Sequence, residues 1–215
     1  MRVVNAPNYN EPRDALSHDC VRWLQDLGHQ PVLIPNGLSS PREFLDATGI
    51  GGVVLTSGND AVPRPGKPDD TSVERDRTEH AVLDFATQAG IPVFGICRGL
   101  HVINRYFHGG LTPSLEGGPS HVALNHRVNI AGRFIELAGA DEVDVNSYHN
   151  QGIRLAELSP DLTLFARSAD GIVEGAVHKT LPILGIQWHP ERANPAAGFD
   201  KALAQRLFSE KAFWK

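Results

Sequence analysis

One segment of the chain changes its hydrophobic period at a cysteine. Residues 93–96 form a short apolar run of strand length. After Cys97, apolar side chains recur at three- and four-residue spacing, first Leu100 and Ile103 and then the aromatic pair 106–107. That spacing is typical of an amphipathic helix. The sequence therefore predicts a strand that runs directly into a helix, with Cys97 in the turn.

Such a turn suits a nucleophile. Gly95 and Gly99 flank Cys97 at two-residue spacing, which is the arrangement of a nucleophile elbow with cysteine in place of serine. We expect the sulfur to lie at the carboxyl end of the sheet, where open α/β sheets bind their ligands. A helix N-terminus at that place favours a thiolate. The alternative is a buried cysteine that packs as a small apolar side chain.

Composition limits the classes of protein and of partner. A chain of 215 residues with 41% hydrophobic residues can bury one substantial core, and we expect a single domain over 1–215. The net charge of −5 argues against nucleic acid or an anionic membrane as the main partner. Only Cys20 and Cys97 are present, and no long apolar segment occurs, so we expect a reducing cytoplasm and a reactive thiol.

The first half of the chain alternates between strand and helix patterns. Strands are predicted at residues 2–6, 30–34, 52–56 and 93–96. Helices are predicted at 14–27, at 41–47, and from a capping box of Thr71 and Glu74 to a stop at Gly90. This order predicts a flavodoxin-like, Rossmann-like α/β fold of three layers, with a mainly parallel central sheet and helices on both faces.

The second half consists mostly of further strand candidates. They lie at residues 121–130, 143–146, 162–166, 172–177 and 182–187, and we expect several of them to be antiparallel. Gly132 is expected to turn the chain into a segment at 134–138, and residues 199–213 are predicted to form a closing helix. The chain contains no internal repeat or linker that would divide it.

A cysteine nucleophile needs a base and a group that orients the base. His189 follows the last predicted strand and is the only histidine with a carboxylate two residues later, Glu191. Glu191 could accept a proton from one ring nitrogen while the other ring nitrogen faces Cys97, as in a catalytic triad.

Acyl transfer also needs hydrogen-bond donors for the oxyanion. The backbone amide of Arg98 is one candidate donor by elbow geometry. The backbone at Gly58 is the second candidate, although the surrounding polar residues are equally good turn chemistry. No HExxH pattern or tight Cys/His cluster occurs, so no metal and no cofactor are expected.

With these residues the chain resembles the class I glutamine amidotransferase-like superfamily, in its γ-glutamyl hydrolase branch of the peptidase C26 type. Four motifs carry the resemblance in the right order, VVLTSGND at 53–60, FGICRGL at 94–100, VNSYHNQG at 145–152 and GIQWHPE at 185–191. They are most similar to free-standing hydrolases of γ-glutamyl-CDP-amidate and of γ-glutamyl-γ-aminobutyrate.

The resemblance implies roles for ten residues. The triad would be Cys97, His189 and Glu191, with Gly58 and Arg98 as oxyanion donors. The implied substrate contacts are Asn59, His101, Ser147, Tyr148 and His149. Packing at a strand end is the alternative role for Tyr148 and His149. The chain departs from many members in having Ser57 where they have a glycine, which leaves Gly58 and Asn59 as alternatives for the second donor, and in having His101 where they have glutamine.

The implied activity is hydrolysis of a γ-glutamyl amide through a cysteinyl thioester, acting on a small molecule. One alternative is a glutaminase subunit that supplies ammonia to a separate synthetase. Another is a non-enzymatic stress or binding protein on a flavodoxin-like scaffold. No nucleic-acid or membrane partner is expected, and a homodimer is possible.

Overall fold

The computed structural model describes residues 1–115 and 121–215, which form a mixed sheet with helices on both faces. In chain order the elements are β1 (Arg2–Asn5), β2 (Pro12–Ala15), α1 (His18–Asp26), α2 (Pro41–Thr48), β3 (Val53–Leu55), α3 (Val73–Ala89), β4 (Val93–Ile96), α4 (Arg98–Tyr106), β5 (Val122–Ile130), α5 (Phe134–Ala138), β6 (Glu142–Tyr148), β7 (Leu162–Ser168), β8 (Val173–His178), β9 (Ile183–Ile186) and α6 (Ala197–Glu210).

The main sheet has the strand order β3-β4-β9-β8-β7-β5-β6. The pairings β3–β4 and β4–β9 are parallel, and the four pairings from β9 across to β6 are antiparallel. The predicted α/β class and the antiparallel second half are confirmed. The described part of the sheet is mixed rather than mainly parallel, because two of the predicted early strands lie outside it.

The first predicted strand pairs locally. β1 forms an antiparallel ribbon with β2, closed by a hydrogen bond from the Ala6 amide to the Glu11 carbonyl at 3.0 Å. Because residues 12–15 belong to this ribbon, the helix predicted from residue 14 begins only at His18, after the N-cap Ser17. The N-terminal segment therefore contributes a small separate sheet.

The predicted strand at 30–34 does not form. Its Pro31 has no amide hydrogen to donate to a ladder. A cavity of about 540 Å³ is lined by this segment and by β3, so the two do not pair directly. β3 is consequently an edge strand of the main sheet in the described residues.

The start of α3 differs by one residue from the predicted capping box. The Ser72 hydroxyl accepts from the Arg75 amide at 3.3 Å and caps the helix, whereas the Thr71 hydroxyl donates to Asp69 at 2.8 Å. Gly90 ends the helix in the left-handed conformation, with φ of 64°, as predicted.

Apolar side chains fill both sides of the sheet. One core packs against α6 and includes Phe94, Ile186 and Leu203, and the other packs against α3 and α4 and includes Leu83 and Leu100. This arrangement produces three layers, and it sets the carboxyl ends of β4 and β9 side by side. Among the described residues, no helix is long and apolar enough to cross a membrane.

Candidate active site

Cys97 lies in a strained turn between β4 and α4. Its φ of 52° and ψ of −104° are unusual for a residue with a side chain. The glycines on either side allow the backbone to pack closely, since a Cβ at Gly99 would collide with the Leu55 carbonyl and a Cβ at Gly95 would come within 2.6 Å of Ile103. The residue Cys97 is only 9% exposed, so it is more covered than an open elbow implies.

The parallel pairing of β4 and β9 brings His189 to the same edge of the sheet. Ile96 and Ile186 are register partners, and Cys97 and His189 follow them closely. His189 Nδ1 lies 2.8 Å from Glu191 Oε1 and is buried with it. With Nδ1 bonded to the carboxylate, Nε2 is the ring nitrogen that can act on the sulfur. The geometry therefore brings together the three residues expected to form a triad.

Charge at this site favours a protonated imidazole. Burial alone would lower the pKa of His189, but the Cys97 sulfur and the Glu191 carboxylate outweigh burial and raise the pKa to about 9. At neutral pH the ring therefore carries a proton. A protonated imidazole beside the cysteine is a proton donor for a leaving group.

Gln187 is a component of the site that the sequence patterns did not indicate. Its Nε2 donates to Cys97 Sγ at 3.5 Å, and its Oε1 lies 2.7 Å from His101 Nε2. Burial lowers the pKa of His101 to about 3, so this ring is neutral. Because the amide oxygen can only accept, His101 Nε2 carries the hydrogen. His101, an expected substrate contact, thus holds the amide that donates to the sulfur.

A buried ion-pair network supports the two expected oxyanion donors. The Arg75 guanidinium donates to the carbonyls of Thr56 at 2.6 Å and Ser57 at 2.9 Å, which fixes the turn before Gly58. Glu79 accepts from Arg75 at 2.8 Å and also pairs with Arg98.

The same network keeps Glu79 ionised and lies against the backbone at Gly58. Burial opposes ionisation of Glu79, but Arg75 and Arg98 hold its pKa below the ordinary value. Gly58 has φ of 126°, and a Cβ there would lie 2.6 Å from Arg75 Nη1. Arg98 is the first residue of α4, so its backbone amide has no acceptor within the helix.

The remaining expected substrate contacts have different environments. The Asn59 side chain exchanges hydrogen bonds with the backbone of Val3 at 2.8 and 2.9 Å, and the Ser147 hydroxyl donates to the His121 carbonyl at 2.7 Å. Both side chains are buried and bonded internally. Tyr148 is 40% exposed, and its ring packs edge-on against the His189 ring with centroids 5.6 Å apart. Tyr148 is therefore the one of these three that a substrate could reach.

His149 belongs to a second group of polar side chains, which we call the histidine–glutamate cluster. It consists of His121, His126, His149 and Glu174. Its members are spread over more than fifty positions, so no local motif indicated it. The cluster adjoins the thiol site, since the backbone amide of Gln187 donates to the backbone carbonyl of Glu174 at 2.8 Å.

Comparison with known proteins gives consistent results. The Peptidase C26 family model matches residues 3–191. A γ-glutamyl-CDP-amidate hydrolase of Campylobacter jejuni is 32% identical over 194 residues, which cover 90% of this chain and 88% of the relative. A glutamine-hydrolysing GMP synthase subunit of Methanoregula boonei is 32% identical over 196 residues, which cover 91% of this chain and 90% of the relative.

The fold is also shared with a solved structure. A protein from Thermoplasma acidophilum, provisionally assigned as a GMP synthase subunit, superposes with a TM-score of 0.68 at 26% identity. The superposition covers 90% of this chain and 88% of the other. The architecture of a mixed sheet between helices is therefore the one found among these relatives.

Proposed function

The chain belongs to the Peptidase C26 family, and from this premise we propose that it hydrolyses a γ-glutamyl amide through a cysteinyl thioester. The observation that supports this most directly is the cysteine elbow beside an imidazole whose other ring nitrogen is bonded to a buried carboxylate. The proposed catalytic residues are Cys97, His189 and Glu191.

The first half of the reaction forms the thioester. The Cys97 thiolate attacks the γ-carbonyl carbon, and the carbonyl electrons move to oxygen. Backbone amides of Gly58 and Arg98 stabilise that oxyanion. As the tetrahedral intermediate collapses, the C–N bond breaks and the His189 Nε2 proton passes to the leaving nitrogen.

The second half releases glutamate. Water bonds to the thioester carbon while His189 Nε2 takes its proton, and the C–S bond then breaks. This restores the thiolate and the imidazolium. Glu191 keeps the ring in one tautomer throughout, and the Gln187 amide donates to the sulfur whenever it carries negative charge. Tyr148, beside His189 and partly exposed, is the proposed contact for the glutamyl group.

The relative from C. jejuni supports γ-glutamyl-CDP-amidate as the first substrate to test. The aligned region covers most of both chains, so the resemblance is not confined to the nucleophile motif. The leaving group would then be a nucleotide amidate rather than ammonia.

The relatives that belong to GMP synthases favour a second candidate function. In this alternative the chain is a glutaminase subunit that delivers ammonia to a separate synthetase. The thiol chemistry is the same, but glutamine is the substrate and turnover depends on a partner chain.

A substrate panel distinguishes the two functions. The purified chain is incubated with glutamine, γ-glutamyl-γ-aminobutyrate or γ-glutamyl-CDP-amidate, and released glutamate is measured. We expect rapid release from a γ-glutamyl conjugate by the chain alone. If the chain alone releases almost no glutamate, and glutamine is hydrolysed only after a synthetase is added, the alternative is supported.

The two cysteines provide a matched pair of variants. Cys97→Ala should abolish glutamate release, whereas Cys20→Ala should leave it near the wild-type rate, because Cys20 is buried on the packed face of α1. Hydrolysis retained by Cys97→Ala would contradict the proposed nucleophile.

A further inference from the structure

The histidine–glutamate cluster surrounds a single carboxylate oxygen. Glu174 lies in β8 and is fully buried, and its Oε1 is 3.5 Å from His126 Nε2, 3.6 Å from His149 Nε2 and 4.0 Å from His121 Nδ1. The ligand atoms of His121, His126 and Glu174 lie within 4.8 Å of one another. Side chains from three strands or their ends therefore converge on one point.

The outer nitrogens of two of these rings are already bonded to acceptors. His121 Nε2 lies 2.9 Å from the Asp170 carboxylate, and His149 Nδ1 lies 2.9 Å from the Gln151 carbonyl. A carboxylate and a carbonyl oxygen can only accept, so each outer nitrogen carries the hydrogen. The inner nitrogens, His121 Nδ1 and His149 Nε2, are therefore the ones that face Glu174.

These inner atoms have no hydrogen-bond partner among the described residues. This holds for His121 Nδ1, His126 Nε2, His149 Nε2 and both carboxylate oxygens of Glu174. Buried polar atoms without partners are costly. A cation between them would remove that penalty.

The distances from Glu174 Oε1 to the ring nitrogens fit neighbouring ligands of one metal ion better than hydrogen bonds. Zinc bonds of about 2.0–2.1 Å in tetrahedral geometry set neighbouring ligand atoms roughly 3.3 Å apart. The observed 3.5–4.0 Å is beyond ordinary hydrogen-bond length and close to that value.

We propose that His121, His126 and Glu174 bind one divalent transition-metal ion, and that the ion is Zn²⁺. His149 Nε2 lies beside this site, 3.6 Å from Glu174 Oε1. Imidazole nitrogens with one carboxylate are a zinc ligand set, whereas Mg²⁺ and Ca²⁺ prefer oxygen ligands throughout. Asp170 and Gln151 orient two of the rings from outside. This site does not depend on the proposed hydrolysis.

The ion would also stiffen the neighbouring thiol site. It ties β5 and the residue before it to β8, and the Glu174 carbonyl in β8 accepts from the backbone amide of Gln187. The Gln187 side chain in turn donates to Cys97 Sγ. Metal binding would thus hold in place the residue that contacts the sulfur.

Metal analysis tests the proposal directly. The wild-type chain is stripped with a chelator, loaded with Zn²⁺, passed through a desalting column and analysed for bound metal. We expect about one ion per chain. Loading with Co²⁺ should give the visible absorption bands of a four-coordinate ion with nitrogen and oxygen ligands, without a thiolate charge-transfer band.

Variants locate the ion. Glu174→Gln and His126→Ala should retain almost no zinc, and Asp170→Asn should weaken zinc affinity by about 10–100-fold because it removes only an outer partner. Asp170→Asn keeps all three ligands and therefore decides the matter if the other variants do not fold. The exposed His18 gives a control, His18→Ala, which should bind zinc like the wild type.

Cys97→Ala separates this site from the thiol site, which could itself bind zinc through Cys97 and His189. We expect Cys97→Ala to keep its ion while losing hydrolysis. Loss of zinc in Cys97→Ala, unchanged zinc affinity in Asp170→Asn, or no zinc in the loaded wild-type chain would each overturn the proposal.

Discussion

Glu191 determines the state of the imidazole through one short contact. Its Oε1 lies 2.8 Å from His189 Nδ1, and both side chains are almost fully covered. The carboxylate is one of the two groups that raise the pKa of His189 against the effect of burial. The charge on Glu191 therefore sets both the tautomer of the ring and the pH range in which it is protonated.

We predict that Glu191→Gln lowers kcat/KM by about 10²–10⁴-fold, as expected when the orienting member of a triad is lost. Removing the negative charge lowers the pKa of His189 from about 9, so the proton for the leaving group is lost at lower pH. The alkaline limb of the kcat/KM profile should move to lower pH, which is measured by comparing profiles with wild type. Glu210→Gln, on the surface, is the control. An alkaline limb that stays in place would contradict this role.

Local signals account for which residues could be predicted from sequence. Cys97 has flanking glycines and a change of period, and His189 has a carboxylate at fixed spacing. Gln187 and Glu174 carry no such signal, because their partners come from other elements of the fold. Likewise, Asn59 and Ser147 match family motifs, but their internal hydrogen bonds depend on β1 and on His121.

The turn between β4 and α4 depends on close backbone packing. We predict that Gly99→Ala lowers the free energy of unfolding by about 1–3 kcal/mol, because its Cβ would overlap the Leu55 carbonyl of β3. Gly198→Ala in α6 is the matched control. A Cβ there meets nothing within 4 Å, so this variant should gain up to about 1 kcal/mol. Urea unfolding measures both variants, and equal effects would contradict the packing argument.

The network between α3 and α4 depends on charge buried in a low-dielectric interior. We predict that Arg75→Met lowers the free energy of unfolding by about 3–5 kcal/mol, because it leaves Glu79 partly uncompensated and removes donors from two carbonyls. The exposed pair of Arg22 with Asp19 provides the control. Arg22→Met should change stability by less than about 0.5 kcal/mol. Denaturant titration measures both, and a small effect of Arg75→Met would contradict the structural role of the network.

Elements with strong periodicity were predicted more accurately than short apolar segments. The helices α2, α3 and α6 and the strands β5 to β9 form where the sequence patterns indicated them, within a few residues. The segments at 2–6 and 30–34 look like interior strands in sequence, but which strand each pairs with depends on tertiary packing. The first segment pairs with β2 in a local hairpin. In the second segment, Pro31 lacks the amide hydrogen needed for hydrogen bonds to a neighbouring strand.

At the scale of the whole molecule, both cores share one sheet. Phe94 points into one core and its neighbour Val93 into the other, so neither core is complete without β4. We propose that residues 1–215 form a single cooperative domain. Unfolding followed by tryptophan fluorescence and by far-ultraviolet circular dichroism should give coincident transitions. Two separate transitions would contradict a single domain.

The account depends on covalent chemistry at one sulfur, and mass spectrometry of an acid-quenched reaction tests it most directly. With a γ-glutamyl substrate that is turned over, we predict a γ-glutamyl adduct on the peptide that contains Cys97 and no adduct on the peptide that contains Cys20. Sustained glutamate release with no adduct on Cys97, and at an equal rate in Cys97→Ala, would contradict the account.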